Sequence, residues 1–186
     1  MNQKIIEKNG MKLIKLSKCL FNLTFDVKND NIMLPSIINF ELMQLIYKLN
    51  PTIFENMEIH NPNNSDTNIV ASTLFKDIFS DLGLPQFYLT IHVIKENPKS
   101  DIIVFKCILI DKKLDTYPND SEILPVKNID ISFQIITNHY VKINCDVELT
   151  EKHILPTFSE KIIGNIIYNI FIRLKQFIEK TSFNII

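Results

Sequence analysis

Arginine is almost absent from this 186-residue chain: Arg173 stands alone against 19 Lys. Alanine is equally rare, with Ala71 its single instance, and there is no Trp. Only three glycines occur, Gly10, Gly83 and Gly164, and they are isolated from one another. That excludes a phosphate-cradling P-loop and the dinucleotide fingerprint, both of which need clustered glycines for close backbone approach. No GxSxG or Cys/His nucleophile signature occurs either. Cysteine is limited to Cys19, Cys107 and Cys145, an odd number without CxxC spacing. These read as reduced, semi-buried thiols of a cytoplasmic protein rather than a disulfide framework. Excess charge of either sign is missing too: 20 Lys+Arg against 21 Asp+Glu give a net charge of -1. The lack of surplus cation to displace counterions argues against a dedicated duplex-DNA binder.

Long apolar runs are also lacking. The first 20 residues carry charges at Lys4, Glu7, Lys8, Lys12, Lys15 and Lys18, so no signal-peptide core is expected. The most lipid-like stretch, Ile162 to Ile172, is interrupted by Gly164, Asn165 and Asn169 and is shorter than the ~20 residues of a membrane span. What abounds is Ile, with 33, and Asn, with 20. Ile, Asn and Lys share A/T-rich codons, which suggests an A/T-biased genome such as that of a large DNA virus. A hydrophobic fraction of 46% with 22% charged residues is that of a globular chain. We expect a single domain over 1–186, mainly helical over 1–85, with a four-strand meander and a C-terminal helix over 86–186.

Periodicity supplies the elements. Leu20 to Val27 reads as a strand. Ile38, Leu42, Leu45, Ile46 and Leu49 recur at helical spacing behind Ser36 as a candidate N-cap, and Asn50-Pro51 stops the run. Glu58 to Asn68 reads as a polar loop. A second helix is expected from Ile69 to Leu82, with Leu74, Phe75, Ile78, Phe79 and Leu82 on its apolar face and Gly83 as its stop.

From residue 86 the period becomes two. Strands are expected at about 86–96, 101–111, 127–137 and 140–150. The segment Ile102 to Ile110 is apolar on both parities, which predicts a central strand covered on both faces. Residues opposite one another in an antiparallel pair share a face. An odd, three-residue connection at Thr137-Asn138-His139 pairs Phe133 with Ile143 and Ile131 with Cys145, keeping all four on one side. We expect positive φ at Asn138 or His139. Behind Pro156, Thr157 and Glu160 have capping-box spacing. A wide apolar stripe follows, from Ile162 through Ile166, Ile170 and Leu174 to Ile178.

The fold expected is therefore α+β: an antiparallel sheet of four or five strands packed on a long C-terminal helix, with two N-terminal helices over an edge or the other face. This strand–strand–strand–strand–helix order resembles the architecture of SecB-type export chaperones and, more loosely, of helix-grip ligand binders. The likeness is one of element order over about the last 100 residues.

Candidate sites are few. The loop Asp111 to Glu122 has acids at EF-hand positions 1, 5 and 12, but Lys113 and Thr116 stand where a ligand and the sharp-turn Gly belong. His60, His92, His139 and His153 lack metal-ligand spacing. No catalytic, cofactor-binding or metal-ligating residue is therefore assigned, and no cofactor is expected. On the polar side of the last helix, Tyr168 and Ile172 stand out, and Phe183 lies in an apolar tail; these three are the candidate partner contacts. The leading expectation is a non-enzymatic interaction module, a subunit, scaffold or accessory factor with a protein partner or a second copy. The first alternative is an apolar-ligand carrier or chaperone-like binder using the sheet–helix interface. The second is an enzyme whose acid/base residues, His92 or His139 with two carboxylates, meet only in three dimensions.

Overall fold

The computed structural model describes residues 3–61, 65–78, 80–150 and 157–182. The chain builds one large antiparallel sheet with helices on its inner face. In chain order the elements are strands β1 (Gln3–Lys8), β2 (Met11–Lys15) and β3 (Leu20–Lys28), then helices α1 (Leu34–Ile37) and α2 (Glu41–Leu49). Strands β4 (Phe54–His60), β5 (Asn68–Phe75), β6 (Phe87–Lys99), β7 (Ile102–Leu109), β8 (Glu122–Ile123), β9 (Val126–Thr137) and β10 (Tyr140–Leu149) follow, and α3 (Thr157–Lys180) comes last. The spatial order is β1-β2-β3-β10-β9-β7-β6-β5-β4, with the short β8 pairing in parallel with β6.

The four-strand meander β6-β7-β9-β10 and the C-terminal helix appear where period-two patterning gives way to helical spacing. The sheet itself has about twice the expected number of strands. The segment read as a helix over 69–82 is β5 followed by a 3-10 turn at Ser80–Leu82. Ile69, Val70 and Thr73 are β-branched, and pairing β5 between β4 and β6 outweighs the helical spacing of its apolar residues. Phe79 lies outside the described residues. The segment read as a polar loop from Glu58 begins inside β4. The expected Ile38–Leu49 helix is α2, starting at Glu41; the Asn39 Oδ1 accepts the Glu41 amide at 2.8 Å, a role expected of Ser36. Both α1 and α2 lie on the face that also carries α3.

Phe133 pairs with Ile143 and Ile131 with Cys145, the register that keeps one face apolar. The odd residue sits elsewhere than expected. Tyr140 pairs with Thr137 and Val141 with Ile135, so Ile136 is a bulge in β9. The bulge absorbs the extra residue, and neither Asn138 nor His139 takes positive φ. Central placement of β7 is observed, but its outer face is open, with Ile108 47% exposed. The strand covered on both faces is β6. The segment 111–123 folds over its outer side, burying Tyr88, Thr90 and Tyr117.

Alternation places the odd-numbered residues of β3, β7, β9 and β10 on the inner face, where Phe21, Leu23, Phe105, Phe133 and Cys145 are buried. α3 crosses this face with Ile167, Phe171, Leu174 and Ile178 turned inward. Asn29, itself buried, donates from Nδ2 to the carbonyls of Ile178 and Thr181 and so holds the helix's C-terminal end. No helix among the described residues is long and apolar enough to cross a membrane.

Candidate functional site: an apolar cavity between sheet and helices

The inner face of the sheet and the two longer helices do not close on each other completely. A cavity of about 220 Å3 remains between them. Its floor is the sheet, with Leu89 and Ile91 from β6, Ile129 and Ile131 from β9 and Val147 from β10. α3 supplies Ile163, Ile166, Ile167 and Ile170, and α2 supplies Leu42, Met43 and Ile46. The spacings explain the wall. Period two on the strands and i, i+3, i+4, i+7 on α3 aim every one of these side chains at the same space.

Two anchors hold α2 beside α3. The Arg173 Nη1 donates to the Leu49 carbonyl at 3.3 Å and to Thr52 Oγ1 at 3.1 Å, satisfying the C-terminal end of α2. Asn50, fully buried, donates from Nδ2 to the Ile46 carbonyl at 2.8 Å and the Ile170 carbonyl at 3.3 Å. Bulky aliphatics then set the distance between the helices and the sheet, which leaves the void.

The wall is electrically bland. No charged side chain lines it among the described residues, and its polar members are Asn39, Tyr47 and Thr73 with the thiols of Cys107 and Cys145. Burial, with a smaller push from Asp130, raises the Cys107 thiol to about 12. Burial raises Cys145 further still. Both thiols therefore stay protonated and behave as small apolar side chains. The Tyr47 hydroxyl is engaged, donating to the Glu55 carbonyl at 3.2 Å.

The titratable residues singled out in the sequence lie away from the cavity. His92 is on the outer parity of β6, beside Tyr88 and Thr90. His139 donates through Nδ1 toward the carbonyls of Asn29 (3.1 Å) and Ile32 (2.9 Å), tying the β9–β10 turn to the start of α1. Asp130 and Asp146 face each other across β9 and β10 on the outer side. Desolvation raises the Asp130 carboxyl; Lys106 opposes the rise, and Asp146, Glu148 and Glu96 add to it. No group of three or more His, Cys, Asp and Glu gathers at metal-binding distance among the described residues. His153 lies outside them.

Of the candidate partner contacts, Tyr168 and Ile172 are buried, at 4% and 9% exposure. They share a helical row with Gly164, against which the β1–β2 hairpin packs. The Tyr168 hydroxyl accepts the Asn9 amide Nδ2–H at 2.7 Å, and the Lys8 ammonium lies 4.6 Å over its ring. The hairpin, unforeseen in the sequence, turns the helix's second side into an interior one. Phe183 lies outside the described residues.

This arrangement matches known structures throughout its length. The human StarD13 lipid transfer and protein localization domain superposes with a TM-score of 0.69 at 6% identity, over 97% of this chain and 90% of that one. Human StAR-related lipid transfer protein 5 gives 0.67 at 10% identity, over 95% and 86%. A StAR-related lipid transfer protein from Xanthomonas axonopodis gives 0.63 at 10% identity, over 94% of each chain. No protein-family model matches the sequence, and no curated protein does. The fold is thus that of StAR-related lipid transfer domains, an antiparallel sheet wrapped on a C-terminal helix.

The expectation of a protein-interaction module is corrected by this result. It rested on a terminal helix more apolar than one buried stripe requires. One side of that helix walls the cavity, the other lies under the β1–β2 hairpin, and the whole is a fold known from lipid transfer domains.

Proposed function

We propose that the chain is a carrier of an apolar ligand, held between the sheet and helices α2 and α3. The observation that carries this reading is the 220 Å3 void walled by apolar side chains. Close-packed interiors leave few voids larger than a water molecule. A space of this size with so few polar partners is poorly suited to water and well suited to hydrocarbon. Removing about 200 Å2 of ligand surface from water at about 25 cal/mol per Å2 yields on the order of 5 kcal/mol before the costs of association. The lipid transfer activity named for the structural neighbours agrees with this reading, as does the sheet–helix location of the cavity.

Calorimetric titration with 1-decanol tests it. Saturable binding of one molecule per chain is expected. Ile166→Phe, which projects three more carbons into the void, should weaken that binding while leaving thermal stability unchanged or higher, because the ring enters empty space rather than displacing neighbours. Absence of decanol binding to the unmodified chain would refute the carrier reading.

A further inference from the structure

The wall of the cavity also specifies the chemistry of its occupant, an inference that rests on the carrier reading. An ionised headgroup brought into this wall would find no counter-charge, since no Lys, Arg, His, Asp or Glu lines it among the described residues. Burying an unpaired ion is among the costliest events in a protein interior. An occupant with one neutral polar group faces a smaller demand, and the wall has one unengaged hydroxyl, able both to donate and to accept. Thr73 lies on β5 between Met57 of β4 and Leu89 of β6, both apolar cavity residues. The other hydroxyl in the wall, on Tyr47, is spent on the Glu55 carbonyl. The Asn39 Oδ1 accepts the Glu41 amide at the exposed start of α2, which leaves that side chain its Nδ2 as a donor only. The cysteine thiols are weak donors and weaker acceptors. The Thr73 hydroxyl has no hydrogen-bond partner among the described residues, and a threonine can both donate and accept. Size adds a bound. A cavity of 150 Å3 holds benzene, so 220 Å3 accommodates on the order of ten non-hydrogen atoms.

We propose that the cavity selects a neutral, compact apolar molecule bearing a single hydroxyl or carbonyl, and that Thr73 is the side chain that recognises that group.

Four naphthyl probes of near-constant shape separate the parts of this proposal: naphthalene, 2-naphthol, 2-acetylnaphthalene and 2-naphthoate. Dissociation constants are measured by calorimetry at pH 7.5. The carboxylate should bind at least about 100-fold more weakly than the acetyl compound, which has almost the same shape and no charge. Its binding should recover as the pH falls toward the carboxyl's own pKa. The naphthol should bind about fivefold tighter than naphthalene, the gain of one net hydrogen bond. Thr73→Val keeps the shape and β-branching of the side chain and should erase that fivefold preference while leaving naphthalene affinity unchanged. Equal binding of carboxylate and ketone would overturn the selection for neutrality. A naphthol preference that survives Thr73→Val would overturn the role of Thr73. Either result together with intact 1-decanol binding leaves the carrier reading standing. Absence of 1-decanol binding would remove the carrier reading itself.

Discussion

Gly164 is where one hydrogen atom decides how closely two elements approach. A Cβ placed there would lie 2.9 Å from Ile5 Cγ2 and 3.1 Å from Leu13 Cδ2. Leu13 is fully buried and has nowhere to retreat, whereas Ile5 is only partly buried. Two effects compete on substitution. Replacing a mid-helix Gly by Ala favours the helix by about 1 kcal/mol. Forcing a methyl into a filled contact costs about 1–3 kcal/mol. Gly164→Ala should therefore come out close to neutral or mildly destabilising. Gly164→Val adds two more carbons to the same contact and forfeits part of the helical gain, so a net loss of about 2–3 kcal/mol is expected. Urea denaturation of the two variants checks this. If the valine variant matched the unmodified chain, the β1–β2 hairpin would not be seated on α3, and the burial of Tyr168 and Ile172 would need another cause.

Elements in this chain are fastened at their ends by single polar side chains, and Asn29 shows how much one can carry. It stands at the end of β3, 4% exposed, with its Oδ1 accepting the Asn31 amide at 2.8 Å and its Nδ2 donating to two carbonyls at the end of α3. Asn29→Leu would fill similar space but leave those carbonyls unpaired in a largely dry setting. A loss of about 1–3 kcal/mol is expected, with hydrogen exchange accelerated in the last turns of α3 before the sheet. Uniform exchange along the helix would contradict the anchoring role. The same scale explains what could be read in advance. β9, β10 and α3 were legible because each has one buried face, so the spacing of Ile131, Phe133, Ile143 and Cys145 has a single sensible reading. β5 was not, because Ile69, Leu74 and Phe75 fit both a helical and a strand face, and only pairing with β4 and β6 decides between them. The β1–β2 hairpin did leave a local signal in Asn9-Gly10, whose φ values of 53° and 69° are those of a two-residue hairpin turn. Lysines at 4, 8, 12 and 15 obscured the strands around it. The cavity had no local signature at all: it is a shortage of volume summed over strands and helices far apart in sequence, and Thr73 becomes notable only once its apolar neighbours are known.

At the scale of the whole molecule, a cavity is a stability deficit that a ligand can repay. Empty, the void deprives its lining of van der Waals partners. Filled, it returns them, and because the unfolded chain has no such site the entire binding free energy counts toward folding. With 1-decanol at 100 times its dissociation constant, stabilisation of about 2.7 kcal/mol follows from mass action. For a chain of 186 residues that corresponds to a rise in melting temperature of about 5–10 °C. Ile166→Phe should start from an equal or higher melting temperature and show a smaller rise at the same decanol concentration, since its ring takes up part of the space. Thr73→Val should retain a rise with decanol, reduced by the lost hydrogen bond. The pattern across the three proteins is what matters. An undiminished rise in the Ile166→Phe variant would mean that decanol stabilises the chain from its surface, for which the exposed Ile108, Ile136 and Phe177 offer apolar ground. A rise that shrinks as the space in the cavity shrinks would tie ligand, void and stability to one place in the fold.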